Sequence, residues 1–389
     1  MTTLMQASNE WMKRPADERF LSLTEMHAQM KTTRENSVQR TVSTRQIEVQ
    51  PHAADPIRGI TIANETGLID PTHWSFGQLA SLSGAPASYL RKLPAPIVAD
   101  AMNYGLRFNR DAEDVKLLAT TTKVSKPRDY GLPGAVPSVP GSQDIIEHTS
   151  LRAATGSNYG RIWNEDIVSA LMGKFGDGRT GDFRVPGEFG KDVPITRENT
   201  TIYGSDRDMF VFLADETNRI EMDDRRNGQK GSLARGFFVW NSEEGSKSIG
   251  AAFFLFDYVC MNRIVWGVQE FKEIRLRHSA GAPDRWLEEI QPVLMEYSNA
   301  SALPIEQTIA EAQKKRVDDD LAKFLSKRFT KSEAKAIETA HLREEGRPIE
   351  TVWDAVTGVT AYAKSIPHQD DRVNMERKGG NLLDLVAVN

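Results

Sequence analysis

The stretch from Arg235 to Gly267, RGFFVWNSEEGSKSIGAAFFLFDYVCMNRIVWG, constrains the fold more than any other. Two apolar, aromatic runs flank a polar turn, and a third run, IVWG, follows an Asn-Arg pair. Short apolar runs bounded by turn residues are strands buried in a sheet, so the block predicts a central meander. The longest run, IGAAFFLFDYVCM, is too short and too polar at Asp257 to span a bilayer, so no membrane association is expected. Cys260 is the single cysteine, which rules out an internal disulfide and fits a reducing compartment. The first residues, MTTLMQASNEWMKRPADERF, lack an apolar core after a basic start, and a cytoplasmic location is the expectation.

Around the meander the pattern predicts four regions. Residues 1–40 are rich in Thr, Arg and Glu and are expected to be only partly ordered. Residues 41–130 read as a strand at Thr41–Val49, a helical subdomain and a strand at Val115–Thr122. In that subdomain Leu79 and Leu82 share a face, Gly84 and Pro86 break it, and a last helix runs from about Ile97 to Leu106. A DNA-reading helix-turn-helix would offer only Arg91 and Lys92 to a groove, and a helical subdomain packed on the sheet accounts for the same pattern. The Pro/Gly-rich segment 131–143 suits a linker. Residues 144–282 form the expected α+β sheet core, with a helix capped by Asn164 and strands at Met209–Leu213, Phe237–Asn241, Ile249–Cys260, Ile264–Trp266 and Phe271–His278. Residues 283–389 turn helical. The expected class is α+β: a central, mainly antiparallel β-meander sheet, an N-terminal helical subdomain and C-terminal helices.

Several blocks together carry a family resemblance. They are SFGQLASLSGAPASYLRKLPAPIVADAMNYGL, the stretch from YGSDRDMFVFLADE through the meander to RLRHSAG, and VWDAVTGVTAYAKSIPHQDDRVNMERKGGNLLDL. LRAATGSNYGRIWNEDI also looks like an Arg–Ser–Tyr–Arg pattern ahead of a helix. Over roughly residues 70–385 the chain resembles the DUF932, or UPF0380, phage/plasmid-like proteins. The resemblance implies a protein of a mobile genetic element acting in a bacterial host cell, and it brings no catalytic residues.

Phages and plasmids carry single-strand annealing recombinases, whose Rad52-like core looks like a bent meander followed by a long helix and assembles as a homo-oligomer. The element order here is compatible with that core, so binding of single-stranded DNA, with annealing and DNA recombination, is the leading expectation. Such binding needs a basic track and aromatic platforms. The net charge of −5 offers no global attraction, but residues 107–128 carry six Lys/Arg against three acids and residues 314–335 eight against four. Candidates for the track are Arg225, Arg226, Lys230, Arg263, Lys272, Arg275 and Arg277, and for stacking Trp240, Tyr258 and Trp266. Solvated surface is the competing reading for the arginines, and buried core for the rings.

A metal-dependent nuclease is the enzymatic alternative. Asp257, with Glu270 and Lys272 in E-F-K, imitates the carboxylates that hold Mg²⁺ and the lysine that steadies the attacking water. No cofactor is expected otherwise. HQDDR at 368–372 reads as the first turn of a helix rather than a metal site, Cys260 as core and His278 as a turn residue. A third reading is a counter-defence factor that binds a host defence protein; an exposed apolar patch on the meander would support it.

Overall fold

A stripe of three apolar residues orders a segment whose composition is polar. Leu23, Met26 and Met30 are buried along the helix α1 (Leu23–Glu35), at spacings of three and four residues. The computed structural model describes residues 16–64, 67–109, 111–127, 143–186, 194–198, 200–225, 229–257, 262–264, 274–317, 321–366 and 369–386. Of residues 1–40, those from 16 on hold a 3-10 turn (Ala16–Glu18), α1 and the start of a strand at Ser37. The Thr, Glu and Lys on the other helix faces dilute the apolar signal.

The described chain divides into two compact units. One combines Gln29–Trp163 with the turn Glu243–Ser246; the other holds the rest. In the first, the expected strand Thr41–Val49 is broken. Ser43 and Gln46 form a capping box around a short 3-10 turn, with the Gln46 carboxamide accepting from the Ser43 N–H at 2.9 Å. The break sends β1 (Ser37–Ser43) and β2 (Glu48–His52) to opposite edges of one sheet. With β3 (Asp55–Asn64), β4 (Gly67–Pro71), β5 (Asp114–Pro127) and β6 (Gln143–Gly156), the order is β1-β5-β6-β4-β3-β2. Only the β4–β6 pair is parallel.

The helical subdomain is present as α2 (His73–Leu82), α3 (Ala87–Leu90) and α4 (Ala95–Tyr104). Thr72 caps α2 by accepting from the Ser75 N–H at 3.2 Å. Leu79, Val98 and Met102 join Ile60, Ile62, Val115 and Leu151 in one core. Each such side chain contributes about 1.5–3 kcal/mol by leaving water. Asn103 ties α4 to the edge strand β2, accepting from the Val49 N–H at 2.9 Å and donating to its carbonyl at 2.8 Å. The expected linker at 131–143 falls almost wholly outside the described residues.

The second unit contains the predicted meander. After α5 (Asn164–Phe175) come β7 (Phe183–Arg184), β8 (Ile202–Gly204), β9 (Met209–Asp215), β10 (Ile220–Arg225), β11 (Gln229–Asn241), β12 (Ile249–Asp257), β13 (Asn262–Ile264) and β14 (Ile274–Leu276). They pair as β13-β12-β11-β9-β7, with β10 on β11, β14 on β12 and β8 on β9. Every pairing is antiparallel. β9 and β12 are buried at every position, so they read as continuous apolar runs rather than alternating ones. The side chains nevertheless divide by parity. Phe212, Phe238 and Phe254 cluster on one face, while Phe237 meets Phe175 and Phe183 on the other.

The helices that follow include α6 (Gln291–Asn299), α7 (Leu303–Lys314), α8 (Lys331–Glu345), α9 (Val352–Ala363) and α10 (Gln369–Gly380). Ile220, Leu233, Leu255 and Ile264 of the sheet share a core with Ile305, Ile337, Trp353, Val356 and Val359. α9 is buried nearly all round and starts in a capping box between Thr351 and Asp354. The fold is thus α+β, with antiparallel sheets and helical regions on both sides of the meander in sequence. No helix among the described residues is long and apolar enough to cross a membrane.

Candidate nucleic-acid interface and a buried arginine–glutamate cluster

The structure turns several of the predicted site residues inward. Trp240, offered as a stacking platform, is 3% exposed near the end of β11 and belongs to the Phe212–Phe238–Phe254 cluster. Alternation explains this: Trp240 has the same parity as Phe238 and points to the same buried face. Arg275, opposite Gly250 on β14, is half-buried, with its guanidinium carbon 5.7 Å from the Trp240 ring centroid. Its charge lies against an aromatic face. Arg277 is exposed. Asp257, the last residue of β12, is fully buried, where a hydrated Mg²⁺ would have to shed the waters it normally keeps.

Arg225, Lys230 and Arg263 lie on β10, β11 and β13, and their side chains are outside the described structure. Arg226, Tyr258, Trp266, Glu270 and Lys272 are outside the described residues, as are Cys260 and His368. Among the described residues no group of three His, Cys, Asp or Glu side chains converges as metal ligands do.

Exposed rings occur instead in the first unit. α4 runs into a π-helical turn, Gly105–Asn109. Gly105 is required there, because a Cβ would overlap the carbonyl of Ser83. Tyr104, the last residue of α4, and Phe108, on the turn, stand 57% and 73% exposed with ring centroids 5.6 Å apart. Arg107 lies between them in sequence, 3.7 Å from Glu48 in an exposed ion pair worth little in water. Tyr89, followed by Arg91 and Lys92, is 60% exposed. Periodicity alone could not find these rings, since Tyr104 falls inside the helix expected from about Ile97 to Leu106 and Phe108 two residues beyond it.

The second feature is a cluster of buried charge inside the same unit. Arg152 lies on β6, and Glu243 and Glu244 in the turn Glu243–Ser246; Arg152 Nη2 donates to Glu243 Oε2 at 2.9 Å and to Glu244 Oε1. The turn is fixed through its backbone. The Glu244 carbonyl accepts from Trp74 Nε1 at 3.1 Å and from Gln78 Nε2 at 2.7 Å. The Gln78 carboxamide oxygen accepts in turn from the Ala154 N–H at 2.8 Å. Gly245 takes a φ of +87° with Tyr159 and Thr155 against it, a conformation natural to glycine.

Burial pushes the Glu244 carboxyl up to about 8, against the pull of Arg152. Burial also raises the Tyr159 phenol and lowers Arg161. Perturbed groups of this kind concentrate at functional sites, although buried ion pairs produce them too. Arg152, Tyr159 and Arg161 come from the segment with the Arg–Ser–Tyr–Arg resemblance. The partners of Arg152 lie some ninety residues away in the turn of the meander, and no local sequence signal joins the two.

The fold and these features define a two-unit α+β protein with surface aromatic and basic groups and a buried ionic cluster. Residues 192–382 match the family model described as a domain of unknown function (DUF932), and through them the chain belongs to the DUF932 family. That match covers the meander sheet from β8 onward and the helices that follow it. No curated protein and no solved structure matches the chain.

Proposed function

We propose that the protein binds single-stranded DNA through its first unit, with the Tyr104–Phe108 step as the stacking platform. The observation that carries this reading is the pair of adjacent rings, both more than half exposed, flanking an arginine. Hydrophobic burial would not leave two neighbouring aromatics in water, whereas a base stacked on each ring gains roughly 1–3 kcal/mol by alanine substitution. The six basic residues against three acids at 107–128 begin at this step and supply phosphate contacts. Strand annealing and homo-oligomer formation are the finer expectations that hang on this binding.

Fluorescence anisotropy with an oligothymidylate across a salt series tests it. The double change Tyr104→Ala and Phe108→Ala is expected to weaken binding about 10-fold or more. Arg107→Ala is expected to lower the slope of log affinity against log salt by about 1. Absence of binding at low salt, or affinity untouched by loss of both rings, rejects the reading.

A further inference from the structure

Arg161 is a buried cation with more donors than acceptors around it. It is only 8% exposed. Its Nε donates to Gln39 Oε1 at 2.8 Å, while Nη1 and Nη2 are buried with no hydrogen-bond partner among the described residues. The guanidinium carbon stands 5.4 Å from the Tyr159 ring centroid and 6.0 Å from that of Trp163. Gln39 and the rings therefore hold the base and faces of the group and leave its fork unspent. Leaving a charged donor buried and unmet is among the most costly arrangements a fold can contain. Glu244 and Glu243 act on Arg161 electrostatically, but neither hydrogen-bonds its two terminal nitrogens.

The chemistry that satisfies such a fork is an oxyanion, two of whose oxygens accept from the two terminal nitrogens in parallel. We propose that Arg161 anchors a binding site for a single phosphate-like oxyanion within the first unit. Charge favours this. With Glu244 pushed up to about 8 by burial, it is largely protonated at neutral pH and offsets little of the positive charge of Arg152 and Arg161. Free phosphate and the terminal phosphate of a nucleic-acid strand share this chemistry. The site does not depend on the Tyr104–Phe108 reading and uses none of its residues.

Calorimetric titration of the full chain with sulfate and with inorganic phosphate, at ionic strength held constant with chloride, tests the site. Saturable binding is expected, accompanied by a rise in melting temperature that chloride does not produce. Arg161→Gln should weaken the anion about 10-fold or more, the worth of a charge-assisted pair. Gln39→Ala, at an exposed position that only orients Arg161, should weaken it severalfold and guards against failure of the first variant to fold. Sulfate and phosphate that behave as chloride, or affinity unchanged in both variants, would mean that water fills the fork, and the proposal falls. Displacement of sulfate by a 5′-phosphorylated oligothymidylate but not by its 5′-hydroxyl form would support the site with a strand end as its source. Saturable sulfate binding that neither oligonucleotide disturbs would support it with a free anion. Failure of DNA binding would leave the sulfate result unaffected.

Discussion

Phe212, Phe238 and Phe254 lie with ring centroids 4.4–5.1 Å apart and at most 2% exposed, whereas Tyr104 and Phe108 are 57% and 73% exposed. The same chemistry serves opposite ends in the two units. In the meander, parity on strands buried on both faces commits each ring to a core before any ligand could reach it. On the π-helical turn, Gly105 seats the backbone so closely on Ser83 that the flanking rings stay in solvent. Richness in aromatic residues thus marks the meander as scaffold, and a less conspicuous pair elsewhere is the one left in solvent.

Three changes would break or sharpen that contrast. Phe254→Ala should cost ~4 kcal/mol of unfolding free energy, by lost burial and the cavity left under Phe212 and Phe238; a loss below ~1 kcal/mol in a denaturant titration would refute tight packing there. Arg152→Met should cost ~3 kcal/mol, because it removes the cation that Glu243 and Glu244 share and leaves their buried carboxyl groups without its hydrogen bonds. At the other end of the scale, Phe108→Ala should move stability by no more than ~0.5 kcal/mol, in keeping with an exposed position. A large loss would show that this ring is structural after all.

Acid–base behaviour sharpens the picture of the buried cluster. Glu244, facing Arg152, Arg161, Glu243 and Tyr159, has a folded value of about 8 against an ordinary 4.5. The folded state therefore keeps a proton that the unfolded chain releases. Glu244's contribution to stability is fully present below about 4.5 and is lost as pH rises to about 8. Glu244→Gln should flatten the stability–pH profile across that window. An identical slope in both proteins, measured by chemical denaturation at several pH values, would contradict a protonated Glu244.

Much of the fold was legible because its signals are local. The apolar runs on β9, β11 and β12 announced the meander, and Gly84 and Pro86 marked the break between α2 and α3. The split at Ser43–Gln46 was hidden because a capping box and a β-strand use the same residue types over so short a span. The order in α1 was hidden by its polar flanks. The candidate site was far less legible. Arg275 as a track residue and Trp240 as a stacking ring or a core residue are independent candidates in the sequence, yet a strand register brings them together and puts the ring in the core. Arg152 and Glu244 meet only through tertiary folding, and their proximity has no expression in spacing.

α9 carries a consequence for how the chain is made. Trp353, Val356 and Val359 complete a core with Leu233 and Leu255, which leave the ribosome far earlier. During synthesis that side of the sheet lacks its full cover until α9 emerges, since α7 and α8 supply only Ile305 and Ile337 and their neighbours to the same core, so the last assembly steps wait on long-range contacts. A nascent or prematurely terminated chain ending before Thr351 would therefore present a sticky apolar surface, a natural substrate for chaperones and quality-control proteases.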